Sequence, residues 1–240
     1  MTVTNITIGA DRSFAMVSAE SFVAPATGAM PDARTSGDVA VEAEKIAAGR
    51  ARAGRAPDVQ PLAFATKIFA LPHLHLVAMG AGFVAPVFAF AGALSATAPN
   101  VADARGVARD APALLRSIKA SFPTMPFMVM IVGWIPYERR IAGFAWASGE
   151  DFETKELGPG HTMQPAPYTS HHDYARLAEA WAPAIEGQDT EGFHRRLFAN
   201  QLAACRAGKF GDGLVVGGKM QLARIVSCGI SMKTIREDEF

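Results

Sequence analysis

Apolar residues are grouped along the chain into alternating blocks of strands and helices. The pattern predicts an N-terminal hairpin, a long segment of mixed composition, two strands, two helices, a second group of strands, two more helices and a C-terminal hairpin. The predicted strands are Thr2–Ile8, Phe14–Glu20, Pro61–Leu71, Leu74–Met79, Phe127–Trp134, Arg140–Ala147, Phe152–Leu157, Lys219–Val226 and Gly229–Ile235. The predicted helices are Phe83–Ala96, Val101–Ala120, Ser170–Ile185 and one capped by Thr190 that carries Cys205.

The order of these blocks predicts the fold class. Strands and helices do not alternate one by one, so the pattern argues against the parallel sheet of an α/β protein. Two antiparallel sheets with a pair of helices outside each sheet fit the order. We therefore predict an α+β fold, a four-layer αββα sandwich, built by a single domain over residues 1–240.

Two stretches depart from ordinary composition. Residues 21–60 are rich in Ala, Gly, Pro, Arg and Asp and hold one weakly amphipathic piece, Asp38–Arg52, so we interpret them as an insertion. The stretch Ile68–Asn100 contains no Asp, Glu, Lys or Arg. Prolines and glycines interrupt it, and no Lys/Arg asymmetry flanks it, so we predict a buried core rather than a membrane span.

Composition limits the range of partners. Half of the 240 residues are hydrophobic (50%) and 19% are charged, which is enough apolar material for a sizeable core. Lys+Arg 23 balances Asp+Glu 23, so no broad basic field would attract nucleic acid. The two cysteines lack ligand-like spacing and no apolar signal segment opens the chain, so we expect reduced thiols and a cytoplasmic location.

Two histidines are the candidate metal ligands. His73 and His75 lie two positions apart, which places them on one face of a predicted strand, where two imidazoles can share a metal ion. No third ligand accompanies them, so polar strand-end histidines are the preferred interpretation. We predict no metal and no cofactor.

Four short motifs, taken in order, resemble the successive landmarks of the proteasome β-subunit family. They are Lys67–Leu71 (KIFAL), Leu76–Gly82 (LVAMGAG), Met125–Trp134 (MPFMVMIVGW) and Val216–Ile225 (VGGKMQLARI). This family belongs to the N-terminal nucleophile hydrolases, whose αββα sandwich is the arrangement that the block order predicts. The resemblance covers most of the chain outside residues 21–60.

The resemblance implies a threonine-hydrolase site. In the family, an N-terminal Thr attacks the substrate carbonyl, its α-amine takes the proton, and a neighbouring Lys lowers the pKa of the hydroxyl. Lys67 matches the position of that Lys, and Glu20 matches the acidic position that holds it. Gly80, at the predicted strand-to-helix turn, matches the glycine whose N–H forms the oxyanion hole, with Gly82 as the alternative.

The resemblance leaves two candidates for the nucleophile. Thr2 becomes N-terminal when Met1 is removed, whereas Thr4 has the better spacing to Glu20 and requires cleavage after Val3. The chain departs from the family at two supporting positions, where the available substitutes are Asp212 and either His161 or Thr162.

Two functions are therefore expected. The first is a proteasome-like N-terminal-threonine hydrolase that cleaves peptide bonds in a peptide or protein substrate and assembles as a homo-oligomer, a ring being the form that the family suggests. The second is a non-catalytic relative with an assembly or binding role. In that case Lys67 and Glu20 form a structural pair, and Thr2 and Thr4 are ordinary strand residues.

Overall fold

The computed structural model describes residues 4–23, 37–54, 63–64, 66–97, 103–164, 189–208 and 216–239. Their strands are β1 Thr4–Ile8, β2 Phe14–Glu20, β3 Phe22–Val23, β4 Ala63–Phe64, β5 Ile68–Leu71, β6 Leu76–Gly82, β7 Phe127–Ile135, β8 Arg140–Ala147, β9 Lys155–Leu157, β10 Gly160–Gln164, β11 Met220–Val226 and β12 Gly229–Ile235. Their α-helices are α1 Gly37–Arg52, α2 Val84–Ser95, α3 Ala104–Ser121 and α4 Thr190–Arg206.

The strands form two five-stranded antiparallel sheets and a small two-stranded ribbon of β3 and β4. Sheet 1 has the order β10-β1-β2-β11-β12, and sheet 2 has the order β5-β6-β7-β8-β9. Helices α2 and α3 pack on sheet 2, while α4 packs on β2 of sheet 1 with α1 beside it. The predicted four-layer αββα sandwich is confirmed.

The centre of the molecule is the apolar interface between the two sheets. In β1, Ile6 and Ile8 belong to this core, whereas the intervening Thr7 faces α4 through a hydrogen bond to His194. This alternation is the expected pattern for a sheet with different surroundings on its two faces. Strands β6 and β7 of sheet 2 are apolar on both faces because their other face packs against α2 and α3.

The two helices on sheet 2 follow from different sequence features. Helix α3 is amphipathic, and the Asp103 side chain caps it by accepting hydrogen bonds from the N–H groups of Arg105 and Gly106, both at 2.9 Å. Helix α2 contains no charged residue, although it is partly exposed. Phe88 on its outer side is 43% exposed.

Several predicted boundaries were wrong. The predicted strand Pro61–Leu71 is divided into β4 and β5, and the next strand starts at Leu76 because Pro72–Leu74 form a short 3₁₀ turn. His75 ends that turn with φ 51°, so it does not share a strand face with His73. Helix α4 is capped by Asp189, whose carboxylate accepts a hydrogen bond from the Gly192 N–H, and not by Thr190.

One strand, β10, was missed. Its sequence has Gly, His and Thr in place of an alternating apolar pattern, and it becomes a strand by pairing along the whole length of β1.

Three sequence predictions fall outside the described residues, namely the helix Ser170–Ile185, the candidate nucleophile Thr2 and the candidate substitute Asp212. Within residues predicted as an insertion, the helix expected at Asp38–Arg52 is present as α1. Among the helices that the structure describes, none combines the length and hydrophobicity needed to cross a bilayer.

Candidate functional site

A buried ion pair joins the two sheets. Glu20 is the last residue of β2 in sheet 1, and Lys67 directly precedes β5 at the edge of sheet 2. The Lys67 Nζ donates a hydrogen bond to Glu20 Oε1. Glu20 is 1% exposed and Lys67 is 5% exposed, so water screens this pair only weakly. The structure therefore brings together the two charged residues that the sequence placed in the site.

Burial changes the chemistry of the lysine. Removal from water disfavours the ammonium form and lowers the pKa of Lys67, and the charge and hydrogen bond of Glu20 offset only part of this effect. The amine of Lys67 is consequently less basic than that of a lysine in water. Shifted pKa values of this kind occur both at functional sites and in structural ion-pair networks.

A small cavity adjoins this pair. Its volume is about 10 Å³, close to the space that one water molecule requires, and it is lined by Lys67, Gly80, Gly82, Val84, Val87 and Phe88. Lys67 and Gly80 thus line the same space. In this form the cavity has no room for a peptide.

The predicted location of Gly80 was wrong. Gly80 lies inside β6, opposite Val129 of β7, rather than at the turn into α2. The turn is formed by Gly82, whose φ of 90° is in the left-handed region that favours glycine. A Cβ on Gly80 would lie 2.6 Å and 2.7 Å from the two methyl groups of Val87, so close packing against α2 requires glycine there.

Thr4 begins β1 at the same end of the hairpin as Glu20. It lies opposite Ala19 of β2 on one side and Gln164 of β10 on the other. Its residue exposure is 0%, and its Oγ1 is buried and has no hydrogen-bond partner among the described residues. Because Ala19 directly precedes Glu20, Thr4 and the carboxylate belong to neighbouring positions of adjacent strands.

A second polar cluster lies between sheet 1 and α4, and the sequence did not predict it. Thr7 Oγ1 is 3.0 Å from His194 Nε2 and 3.2 Å from His161 Nδ1, and Ser18 Oγ is 2.7 Å from His194 Nδ1. Phe193 packs edge-on against the His161 ring. We call Ser18, Thr7, His161 and His194 the histidine network.

His161, one of the substitutes considered for a supporting group, belongs to the histidine network. Its ring contacts Thr7, which faces α4, so the ring lies on the opposite side of sheet 1 from the intersheet core. Thr162, the other substitute considered, is paired with Ile6 in the same strand ladder, and Asp212 lies outside the described residues.

Burial also sets the protonation state of the histidine network. Desolvation lowers the pKa of His194 to about 3, with a smaller contribution from the neighbouring His161 ring. Desolvation lowers the pKa of His161 to about 4. Both imidazoles are therefore neutral at pH 7.

The candidate metal ligands do not form a site. His73 Nε2 lies 3.3 Å from the carbonyl oxygen of Leu94, and His75 occupies the left-handed position after the 3₁₀ turn. In the described part of the chain, no group of three or more His, Cys, Asp and Glu side chains is arranged to hold a metal ion.

The structure has two five-stranded antiparallel sheets between helical layers, and a buried Lys–Glu pair joins the sheets at one end. This arrangement is a proteasome-like αββα fold. The chain is similar in structure to the Anbu (Gly-1) mutant from Hyphomicrobium sp. strain MC1, Anbu being a bacterial proteasome-like protein, with a TM-score of 0.64. The match covers 100% of this chain and 89% of that chain at 13% sequence identity, so it shows the fold alone. No protein-family model and no curated protein sequence matches the chain.

We predict that Lys67→Met lowers the free energy of unfolding by about 3–5 kcal/mol, because the Glu20 carboxylate stays buried without its ammonium partner. Combining Lys67→Met with Glu20→Gln should recover part of this loss. The matched control is Lys155→Met, which removes a lysine paired with Glu150 at 2.7 Å but with a half-exposed side chain, and should cost less than about 1 kcal/mol. Urea unfolding of the four proteins measures these values, and equal losses for the two lysines would contradict the account.

We predict that acid destabilises the protein through the histidine network. Both folded-state pKa values are below the value of about 6.5 for an imidazole in an unfolded chain, so the unfolded state binds more protons at pH 5. The free energy of unfolding should therefore fall by about 3–4 kcal/mol from pH 7 to pH 5, and His194→Gln should remove about half of that dependence.

The control for this experiment is Leu202→Ala, which weakens the packing of α4 without altering an imidazole. It should lower stability by about 2–5 kcal/mol at both pH values. Urea titrations at pH 7 and pH 5 measure the free energy of unfolding of the parent and of both variants. An unchanged pH dependence in His194→Gln would show that this histidine does not resist protonation.

Proposed function

We propose that the chain is a proteasome-like N-terminal-threonine hydrolase that cleaves peptide bonds, with Thr4 as the nucleophile. The observation that carries this proposal is the buried Lys67–Glu20 pair at the end of the hairpin where Thr4 begins β1. A buried lysine with a lowered pKa is costly for the fold, and a nearby nucleophile gives it a chemical role.

Thr4 is the candidate nucleophile that lies within the described residues. Its side chain is buried at the correct end of the hairpin, and its hydroxyl has no hydrogen-bond partner among the described residues. Cleavage of the Val3–Thr4 bond supplies the free α-amine that an N-terminal threonine needs as its base.

The chemistry then follows in balanced steps. The α-amine of Thr4 takes the proton of the Thr4 hydroxyl while Oγ1 attacks the peptide carbonyl carbon, and the positive charge of Lys67 favours the developing alkoxide. Backbone N–H groups of the Gly80–Gly82 segment bind the oxyanion, with Gly80 as the first candidate because it lines the cavity beside Lys67. The departing amine receives the proton, and water hydrolyses the ester left on Thr4.

A non-catalytic role is the second candidate, and two observations favour it. Thr4 has 0% exposure, and the cavity beside Lys67 holds about 10 Å³, so this form of the protein admits no peptide. In that role the Lys67–Glu20 pair fixes one sheet against the other, and the chain serves in assembly or binding.

The two roles predict different N-termini and different activities. The hydrolase should have an intact mass that lacks Met1 to Val3, and Thr4→Ala should reduce hydrolysis of a fluorogenic peptide by at least about a thousandfold. Thr2→Ala should retain activity, as should the control Thr124→Ala in the exposed turn after α3. A mass that includes Met1, with no hydrolysis, would support the non-catalytic role. Loss of activity in Thr2→Ala alone would assign the nucleophile to Thr2.

We also propose that the protein acts as a homo-oligomer, with α2 in the contact between copies. The helix has no charged residue, and Phe88 stands on its outer side with its ring edge-on to Phe69 at 5.3 Å between centroids. An exposed surface without charges is a candidate contact surface, because contiguous apolar patches mark many sites where proteins associate. A ring enclosing the sites would restrict access to unfolded protein or peptide substrates.

Light scattering tests this assembly. The parent protein should be larger than a dimer, and Phe88→Ser should shift it towards smaller species. Met232→Ser is the matched control, because Met232 on β12 is also 43% exposed but lies on a different element. A parent protein no larger than a dimer would argue against an enclosed chamber.

A further inference from the structure

One row of side chains crosses sheet 1 beside the candidate site. Thr4 of β1 lies opposite Ala19 of β2, and Ala19 lies opposite Gln221 of β11. Each of the three shares a strand face with residues of the intersheet core, since Ile6, Val17 and Ala223 are two positions away on their strands. Thr4, Ala19 and Gln221 therefore all project towards sheet 2.

Gln221 connects this row to the backbone of the other sheet. Its Oε1 accepts a hydrogen bond from the backbone N–H of Lys67 at 2.7 Å, and the Gln221 residue is buried at 8% exposure. Lys67 is consequently held to sheet 1 at two points, by its backbone through Gln221 and by its amine through Glu20.

These two contacts have different consequences. The ion pair fixes the end of a long and flexible side chain, whereas the Gln221 contact fixes the main chain from which that side chain extends. Because Gln221 and Thr4 belong to the same cross-strand row, the contact also sets the distance between the Lys67 backbone and the start of β1.

We infer that Gln221 is a positioning residue, which holds Lys67 in register with Thr4 by accepting the Lys67 backbone N–H. Any effect of Gln221 on catalysis rests on the proposed function. The hydrogen bond that positions Lys67 is a property of the fold and does not depend on it. An apolar side chain at this position would leave the buried N–H of Lys67 without this acceptor, at a cost typical of an unsatisfied polar group.

The test compares Gln221→Met, which has a similar length but no amide, with Gln221→Glu, which keeps an acceptor oxygen. Gln201→Met is the matched control, because Gln201 is also a buried glutamine whose amide forms two hydrogen bonds, at 3.1 Å and 3.0 Å, with Asn5 under α4. Hydrogen exchange at the Lys67 amide and an NMR titration of its ¹³Cε signal report on the position of Lys67 without requiring activity.

Gln221→Met should accelerate exchange at the Lys67 amide by about tenfold, the factor expected for one buried hydrogen bond, and should move the titration midpoint of the Lys67 amine. Gln221→Glu should retain most of the amide protection, and Gln201→Met should leave both readouts as in the parent. If the hydrolase proposal holds, Gln221→Met should also slow covalent capture of the protein by a peptide epoxyketone by about tenfold, with an altered pH profile.

Two results would overturn the inference. One is a Lys67 amide and amine that behave identically in the parent and in Gln221→Met. The other is the same change in Gln201→Met, which would indicate a general loosening of the fold. Failure of the parent to react with the epoxyketone would contradict the hydrolase proposal instead, and the exchange and titration results would still decide the role of Gln221.

Discussion

The contact between Lys67 and Glu20 joins two sheets whose interface is formed mainly by apolar side chains. Burying two charges costs free energy that their mutual attraction only partly returns, and an apolar pair of similar volume often serves a fold as well. The surrounding structure nevertheless supports this pair. Gln221 fixes the Lys67 backbone from β11, and Gly80 allows β6 to pack closely against α2 beside the lysine.

The histidine network shows a different use of polar groups in the same fold. It lies on the outer face of sheet 1, where Thr7 and Ser18 would otherwise face the apolar side of α4 without partners. His194 satisfies both hydroxyl groups through its two ring nitrogens. The arrangement favours neutral imidazoles, so it links the attachment of α4 to pH.

Much of the fold could be predicted from the sequence because burial controls its pattern. The hydrophobic pattern of each element reflects the layers that it contacts. Strand β7 is apolar throughout, and the buried residues of helix α3 recur with a period of about 3.6 residues. Strand β10 could not be found in this way, since its pairing with β1 is a tertiary effect. The start of β6 was misplaced because the left-handed conformation of His75 ends the preceding turn, and His carries no clear signal for it.

The site was predictable to a smaller extent. The family resemblance indicated Glu20 and Lys67, and the structure places them in contact, but the same resemblance put Gly80 at a turn that Gly82 forms. The histidine network and Gln221 were missed because their partners are distant in sequence and only the packing of layers brings them together. At 13% identity, the likeness to Anbu supports the fold and leaves the chemistry to be tested on this chain.

The most direct test of the proposed hydrolase is to treat the purified protein with a peptide epoxyketone and locate the modified residue by tandem mass spectrometry. The account predicts an adduct on the peptide that begins with Thr4, carried by both its α-amine and its hydroxyl group. An unmodified protein that still begins with Met1 would contradict it, as would an adduct on any other residue.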